Sequence, residues 1–124
     1  MIERILLIDD DPIQNLINSK MIKKMSSNTE LIIAGNGQEA LEKIHQDALP
    51  LQIIFLDINM PIMDGWEFLE SLSAKNNDNS LKIFMLTSSV SPDDIKRSQT
   101  HGLVQGFITK PLSMEKLRFL NEMD

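Results

Sequence analysis

The sequence predicts an α/β protein built on a five-stranded parallel sheet with helices on both faces. Five short apolar runs recur along the 124 residues, and a segment with helical periodicity follows each of them. This alternation is typical of strand–helix–strand units, because parallel strands are joined by crossover helices. With 42% hydrophobic residues, the chain is long enough for one core and too short for two ordinary domains. We therefore predict a single domain spanning residues 1–124, with no output domain.

The predicted strands are rich in Ile, Leu, Val and Phe and end abruptly at polar residues. Continuous apolar runs, rather than alternating ones, are typical of strands that are buried on both faces of a sheet. Turn-forming and charged residues separate one run from the next. The runs are Arg4 to Ile8, Glu30 to Ala34, Gln52 to Leu56, Leu81 to Leu86 and Gly106 to Thr109.

Each predicted strand is followed by residues that favour the start of a helix. Asp, Asn and Ser are good N-caps, and Pro fits the first helical position because its missing N–H would have no partner there. Such starts occur at Asp11-Pro12, Asn36-Gly37, Gly65-Trp66, Ser91-Pro92 and Ser113. The first helix then carries apolar residues at helical spacing, which predict the face that it buries. They are Ile13, Leu16, Ile17 and Met21.

Charge and composition exclude several classes of function. The formal net charge is −6, which argues against a nucleic-acid partner because phosphate backbones are bound through clustered Lys and Arg. No cysteine is present, so a disulfide framework and a thiolate metal site are both impossible. The longest apolar runs are far shorter than a membrane span, and Asp9 interrupts the first of them. We therefore expect a cytoplasmic protein with no membrane partner.

Polar side chains stand at the carboxyl ends of four predicted strands. Asp9 and Asp10 follow the first strand, Asp57 the third, Thr87 the fourth and Lys110 the fifth. In a flavodoxin-like doubly wound sheet with strand order 2-1-3-4-5, strands one and three are neighbours and flank the crevice where ligands bind. Apolar runs alone do not determine this order. With this order, the five side chains gather in one pocket.

Three carboxylates in one pocket need a cation to remain ionised. At about 4 Å and an effective dielectric of about 20, each pair repels by roughly 4 kcal/mol. Mg²⁺ meets this need, because it prefers oxygen ligands and leaves coordination positions for a phosphoryl oxygen. We predict that Asp10 and Asp57 bind it through their side chains, and that Asp9 does so directly or through water. Beside a metal and the Lys110 ammonium group, one carboxylate can attack phosphorus and form an aspartyl phosphate, with the Thr87 hydroxyl as a donor.

The ordered set of residues resembles the receiver domains of bacterial two-component response regulators, in particular the stand-alone, CheY-like type. The resemblance covers essentially the whole chain, and its motifs are weak singly but specific as a set. They are the acidic pair after strand one, Asp57 with Met60-Pro61 and Asp64-Gly65 after it, Thr87-Ser88, and Lys110-Pro111. Within this set we expect Asp64-Gly65 to be structural, with Gly65 supplying a positive φ in a turn.

For the pocket, the resemblance implies a phosphoacceptor and a metal site. Asp57 is the position that a histidine kinase or a phosphotransfer protein would phosphorylate in a Mg²⁺-dependent reaction. Asp9 and Asp10 would build the Mg²⁺ site, and the main-chain carbonyl of Asn59 would complete it. The implied function is a signalling switch rather than a turnover enzyme. It would alter its contacts with an unidentified downstream protein, as a monomer or as a phosphorylation-dependent dimer.

For signalling, the resemblance implies a switch formed by Thr87 and an aromatic residue on strand five. Thr87 would move towards the phosphoryl group, and Lys110 would be its charge partner. The aromatic position is occupied by Phe107, which lacks the phenolic hydroxyl often found there. The chain is also one residue longer than the common pattern between Gly102 and Phe107. A cis peptide bond before Pro111 is a further implication.

Two other functions remain open at the level of sequence. The first is a receiver-fold interaction module that works without phosphorylation, an interpretation supported by the departure at Phe107. The second is a haloacid-dehalogenase-like phosphatase with Asp9 as its nucleophile, because Asp9-Asp10-Asp11 contains an Asp-x-Asp after a strand. Such an enzyme needs an acidic pair after its lysine, whereas Asp93-Asp94 precede Lys110, and no cap domain is predicted.

Overall fold

The structure, a computed structural model, describes residues 4–46, 53–75, 81–88 and 91–122. Within these ranges five parallel strands form one sheet, and their order is β2-β1-β3-β4-β5. The strands are β1 Arg4–Ile8, β2 Glu30–Ala34, β3 Ile53–Asp57, β4 Lys82–Thr87 and β5 Val104–Thr109. The predicted flavodoxin-like doubly wound sheet is confirmed, and β1 and β3 are hydrogen-bonded neighbours near its centre.

Four strand boundaries differ from the prediction by one or two residues, and one of them is the start of β4, which lies at Lys82 rather than at Leu81. Strands β3 and β4 include Asp57 and Thr87, each one residue beyond the predicted end. Strand β5 begins at Val104 rather than at Gly106. Gln52, the predicted start of strand three, lies outside the described residues. Because Asp57 and Thr87 belong to the ladder, the sheet itself determines where their backbones lie.

Four α-helices and one 3₁₀-helix accompany the strands in the described ranges. They are α1 Pro12–Met25, α2 Gly37–Gln46, α3 Gly65–Lys75, α4 Pro92–Ser98 and the 3₁₀-helix Arg118–Glu122. Ser113 Oγ accepts the Lys116 N–H at 3.2 Å, as the predicted fifth N-cap would. The residues that follow form turns and the 3₁₀-helix, so the predicted fifth α-helix is replaced by a tighter one. None of these helices has the length and apolar character that crossing a membrane requires.

The buried face of α1 is not the predicted one. Ile13, Leu16 and Ile17 are 68%, 55% and 41% exposed, whereas Met21, the fourth residue of the predicted face, is partly buried and packs against the core. The buried residues of the helix are Asn15, Asn18 and Ile22. The physical reason is a hydrogen bond from Asn15 Nδ2 to the Asp9 carbonyl at 2.8 Å, which sets the rotation of the helix about its axis. Positions three and seven residues beyond Asn15 then face the sheet as well.

The hydrophobic core lies on both faces of the sheet. On one face, Leu6 belongs to a buried cluster that includes Phe68 of α3. On the other face, Leu7 belongs to a cluster with Ile22 of α1 and Leu117 ahead of the 3₁₀-helix. Every residue of β1 and β3 is buried, as expected for central parallel strands. Packing on both faces holds the carboxyl ends of these strands in fixed positions.

Strand β5 contains a bulge within the segment that was predicted to be one residue longer than the common pattern. The pairing between β4 and β5 shifts by one residue between Ile83 and Phe84, and Gln105 is the unpaired residue of β5. From Phe107 onwards the two strands pair regularly to their ends. A bulge absorbs one extra residue locally. The bulge therefore leaves the carboxyl end of β5 in register with β4.

Candidate functional site

The carboxyl ends of β1, β3, β4 and β5 meet at one edge of the sheet. Carboxylate oxygens of Asp9, Asp10 and Asp57 all lie within 4.8 Å of one another. Lys110 Nζ lies 2.9 Å from Asp9 Oδ2 and 3.3 Å from Asp57 Oδ2. The Lys110 N–H donates to the Thr87 carbonyl at 2.8 Å and so joins the ends of β4 and β5. The structure thus brings the side chains of Asp9, Asp10, Asp57 and Lys110 into one pocket, beside the carboxyl end of β4.

Asp9 is fully buried, and contacts hold each of its polar groups. Its N–H donates to the Ala34 carbonyl at 3.2 Å, and its carbonyl accepts from Asn15 Nδ2 at 2.8 Å. Oδ1 accepts the Asp11 N–H at 3.0 Å, and Oδ2 pairs with the Lys110 ammonium group. A buried carboxylate needs such partners because an uncompensated interior charge is costly. Because both carboxylate oxygens of Asp9 already have partners, the carboxylates of Asp10 and Asp57 have more unused capacity to bind a ligand.

Asp57 is only 5% exposed, and its charge is poorly compensated. Oδ1 accepts a long hydrogen bond from the Asn59 N–H at 3.4 Å. Burial and the negative charge of Asp9 raise the pKa of Asp57 to about 6, although the Lys110 ammonium group acts in the opposite direction. Burial also disfavours the charged form of Lys110, but the carboxylates of Asp9 and Asp57 outweigh it, so the pKa of Lys110 is raised. Lys110 is therefore an ammonium group at neutral pH.

The donors of the pocket suit a hard divalent cation. Three carboxylates face one ammonium group, so negative charge is in excess. After burial, the negative charge of Asp9 is the second cause of the raised pKa of Asp57. Mg²⁺ binds through oxygen atoms, commonly from one or two carboxylates together with water. Asp10 is exposed at the rim of the pocket, where a hydrated ion has access. The residues therefore fit Mg²⁺.

The two predicted switch residues lie on neighbouring strands. Thr87 is buried at the carboxyl end of β4 and pairs with Thr109 of β5. Phe107, two residues earlier on β5, is partly buried and packs against the cluster on the α2 and α3 side of the sheet. The peptide bond that joins Lys110 to Pro111 is cis, in agreement with the resemblance.

Gly65 is required for space and not for a positive φ, so that part of the prediction is wrong. No described glycine has a positive φ, whereas Ile62 in the preceding loop does, at 72°. A Cβ atom on Gly65 would lie 2.7 Å from the Asp57 carbonyl oxygen and 3.0 Å from Ile58 Cα. The Gly65 N–H donates to the Ile58 carbonyl at 2.9 Å. The start of α3 therefore passes directly against the backbone that carries Asp57.

The contact between Trp66 and α4 was not predicted from the sequence. The buried ring of Trp66, the residue after Gly65, lies under the Arg97 guanidinium carbon, 5.1 Å from the ring centre. The His101 ring stacks on the same indole with 5.9 Å between centres. Arg97 lies in α4 and His101 in the turns that follow it. No spacing rule connects residues so far apart in sequence, so only the fold reveals this attachment of α4.

A 2-1-3-4-5 parallel sheet with an acidic pocket at its carboxyl edge is the arrangement of a signal receiver domain. The family model of the response regulator receiver domain matches residues 5–120. The chain belongs to this family. A solved two-component response regulator from Cytophaga hutchinsonii has a TM-score of 0.88 and 29% identity, over 98% of this chain and 96% of that one.

Two curated relatives are much longer than this chain. A two-component response regulator of Arabidopsis thaliana is 30% identical over 94% of this chain and 21% of its own length. The sensor histidine kinase CheAY of Helicobacter pylori is 35% identical over 91% of this chain and 14% of its own length.

Receiver domains are signalling switches of two-component systems rather than turnover enzymes. They bind Mg²⁺ at an acidic pocket and interact with histidine kinases or phosphotransfer proteins and with downstream effectors.

Proposed function

We propose that the protein is a receiver that accepts a phosphoryl group on Asp57 in a Mg²⁺-dependent reaction and signals through altered protein contacts. The observation that supports this best is the convergence of three carboxylates and one ammonium group in one pocket. The donor would be a phosphohistidine of a histidine kinase or a phosphotransfer protein. The likeness to a sensor histidine kinase supports a partner of this kind.

In this proposal the residues of the pocket hold the reactants. Asp10, Asp57 and the main-chain carbonyl of Asn59 would hold Mg²⁺, and Asp9 would do so directly or through water. When bound, the ion neutralises charge on the phosphoryl oxygens. An oxygen of ionised Asp57 forms a bond to phosphorus while the bond from phosphorus to the donor nitrogen breaks, and the leaving imidazole keeps that electron pair. The Lys110 ammonium group offsets the negative charge of the phosphoryl group.

The signal passes from the pocket to the surface through Thr87. Phosphorylation draws its hydroxyl towards the phosphoryl group and repositions the surface formed by α4, β5 and the 3₁₀-helix near Phe107. The attachment of Thr87 to Lys110 through the main chain supports this route. Phe107 reports the change by moving its ring, because it has no hydroxyl to form a new hydrogen bond.

The geometry argues against a phosphatase in which Asp9 is the nucleophile. Asp9 is fully buried, and both of its carboxylate oxygens already have partners in Asp11 and Lys110. A nucleophile must reach the phosphorus atom of a bound substrate. Asp57 is the better nucleophile, because among the residues that the structure describes one of its oxygens has only the long contact from the Asn59 N–H.

Intact mass spectrometry tests the proposal. The protein is incubated with acetyl phosphate and Mg²⁺, and the parent is compared with Asp57→Ala. We expect the parent to gain the mass of one phosphoryl group, and the variant and an EDTA-treated parent to gain none. Label retained in Asp57→Ala would favour Asp9 and the phosphatase reaction. Absence of label from every sample would favour an interaction module that works without phosphorylation.

A further inference from the structure

Asn15 connects the first helix to the acidic pocket. Its Nδ2 donates to the Asp9 main-chain carbonyl at 2.8 Å, and the residue is only 5% exposed. Within the described residues the Asn15 side chain forms no hydrogen bond to Asp10 or Asp57, so we expect it to act on metal binding through Asp9. We propose that Asn15 is a positioning residue, which holds the turn that presents Asp10 to Mg²⁺. This inference rests on the proposed Mg²⁺-dependent function.

The planarity of the peptide bond explains how Asn15 can orient Asp10. The Asp9 carbonyl and the Asp10 N–H belong to the same planar unit, so a hydrogen bond that holds the carbonyl holds the whole plane. The direction in which the Asp10 side chain leaves the backbone depends on that plane. The Asp9 N–H and side chain are fixed by other contacts, to Ala34, Asp11 and Lys110. Asn15 therefore supplies the contact that controls the junction between Asp9 and Asp10.

Asp10 needs such a constraint more than the other two carboxylates do. Asp57 is fixed by the β3 ladder and Asp9 by burial, whereas Asp10 is exposed. Mg²⁺ demands near-ideal octahedral geometry with short bonds to oxygen, so a displaced ligand weakens binding. Groups that orient metal ligands from behind typically contribute about 10-fold or more to metal affinity.

Asn18 provides a matched control in the same helix. It lies one turn beyond Asn15, on the same buried side, and is 1% exposed. Neither polar atom of its side chain has a hydrogen-bond partner within the described part of the chain. Asn15 and Asn18 thus share residue type, helix and burial, and differ in the contact to Asp9. An effect specific to that contact will appear in variants of Asn15 and not in variants of Asn18.

Calorimetric titration with Mg²⁺ tests the inference on the parent, Asn15→Leu and Asn18→Leu. We expect Asn15→Leu to bind Mg²⁺ about 10-fold more weakly and Asn18→Leu to bind it like the parent. Phosphorylation of Asn15→Leu by acetyl phosphate should need more Mg²⁺ but reach the parental rate at saturation. Parental affinity in Asn15→Leu, equal weakening in both variants, or a rate loss that persists at saturating Mg²⁺ would each overturn the proposal.

A measurement on the parent covers the case in which Asn15→Leu does not fold. Saturation with Mg²⁺ should shift the side-chain amide resonances of Asn15 in a nitrogen–proton spectrum and leave those of Asn18 in place. Asn15 resonances that do not move would overturn the inference. If the parent binds Mg²⁺ but the predictions for Asn15 fail, this inference alone is wrong and the Mg²⁺-dependent function stands. A parent that binds no Mg²⁺ sinks the Mg²⁺-dependent function and this inference together.

Discussion

The ionisation of Asp57 couples the pocket to the stability of the fold. Burial and the charge of Asp9 raise its pKa from an ordinary 3.8 to about 6. The native state therefore binds this proton more readily than the unfolded chain does. The free energy of unfolding accordingly falls as the pH rises between about 4 and 6. Above this window the ionised carboxylate destabilises the fold by at most about 3 kcal/mol.

Replacement of Asp57 by Asn should stabilise the protein at neutral pH. The variant keeps the shape of the side chain and removes the poorly compensated charge, so we expect a gain of roughly 1–3 kcal/mol in the free energy of unfolding. The gain should shrink as the pH falls towards about 4, where the parental carboxyl is protonated. Urea unfolding in EDTA across this range measures it.

Asp64→Asn is the control for this experiment. Asp64 is a carboxylate that caps α3 by accepting the Glu67 N–H at 2.9 Å. Asn caps helices equally well, so this variant should follow the parent at every pH. An Asp57→Asn gain that is the same at acid and neutral pH would contradict the proposed electrostatic origin.

At the scale of elements, the junction between β3 and α3 depends on the missing side chain of Gly65. A Cβ atom 2.7 Å from the Asp57 carbonyl oxygen cannot be accommodated without moving backbone. We expect Gly65→Ala to lower the free energy of unfolding by about 1–3 kcal/mol and to slow phosphorylation, because Asp57 moves with its carbonyl. Urea unfolding and intact mass after acetyl phosphate treatment measure the two effects.

Gly102→Ala is the matched control, because its Cβ atom would meet nothing within 4 Å. It should leave phosphorylation unchanged and alter stability by less than about 1 kcal/mol, in the stabilising direction. If Gly65→Ala behaves like Gly102→Ala, the close approach of α3 to Asp57 affects neither stability nor phosphorylation.

Helix α4 packs loosely on the domain and contacts the side chain of Trp66. No residue of α4 is buried, while Arg97 lies over the buried indole ring. A cation–π contact at an exposed position contributes about 0.5–1 kcal/mol. Elements with few buried contacts open locally at low free-energy cost. The helix is therefore suited to change position in response to the proposed phosphorylation of Asp57.

Arg97→Ala should loosen α4 without unfolding the domain. We expect several-fold faster hydrogen exchange in α4 and an altered Trp66 fluorescence spectrum, because the contact to the indole is lost. Lys96→Ala removes the same charge from the neighbouring exposed position and should change neither signal. Identical exchange rates in the two variants would show that Trp66 does not anchor the helix.

At the scale of the whole molecule, Mg²⁺ should stabilise the fold through binding linkage. A ligand that binds only the native state at 100 times its Kd adds about 2.7 kcal/mol to the free energy of unfolding. We therefore expect the Tm of the parent to rise with Mg²⁺ concentration and that of Asp10→Asn to respond far less. Asp11→Asn is the control, because Asp11 caps α1 and Asn preserves the cap. A full response in Asp10→Asn would remove Asp10 from the metal site.

Thr87 should separate phosphorylation from signalling across the molecule. We expect Thr87→Ala to be phosphorylated nearly as well as the parent, because its hydroxyl is not the nucleophile. The phosphorylation-dependent change in hydrogen exchange of α4 and β5 should be lost. Thr109→Ala, at the paired position on β5, should retain this change. If Thr87→Ala loses phosphorylation and the exchange response equally, Thr87 is part of the transfer step instead.

Much of the fold followed from signals that act over a few residues. Asp11-Pro12 and Ser91-Pro92 marked helix starts correctly, because capping depends on neighbouring residues. The prediction that Ile13, Leu16 and Ile17 form the buried face of α1 was wrong, because burial does not depend on neighbouring residues alone. Which side of a helix is buried depends on its rotation against a distant surface, and here a hydrogen bond to Asp9 sets that rotation.

The sequence by itself determined the α/β class, the placement of most elements and the polar residues at the strand ends, because each is encoded by a short stretch of chain. Only the tertiary structure decided the strand order, and with it the meeting of Asp9, Asp10, Asp57 and Lys110. It also decided the support from Asn15 and the contact of Trp66 with α4. Such contacts join residues that are far apart in sequence and that meet only when the whole core packs. No local sequence pattern predicts them.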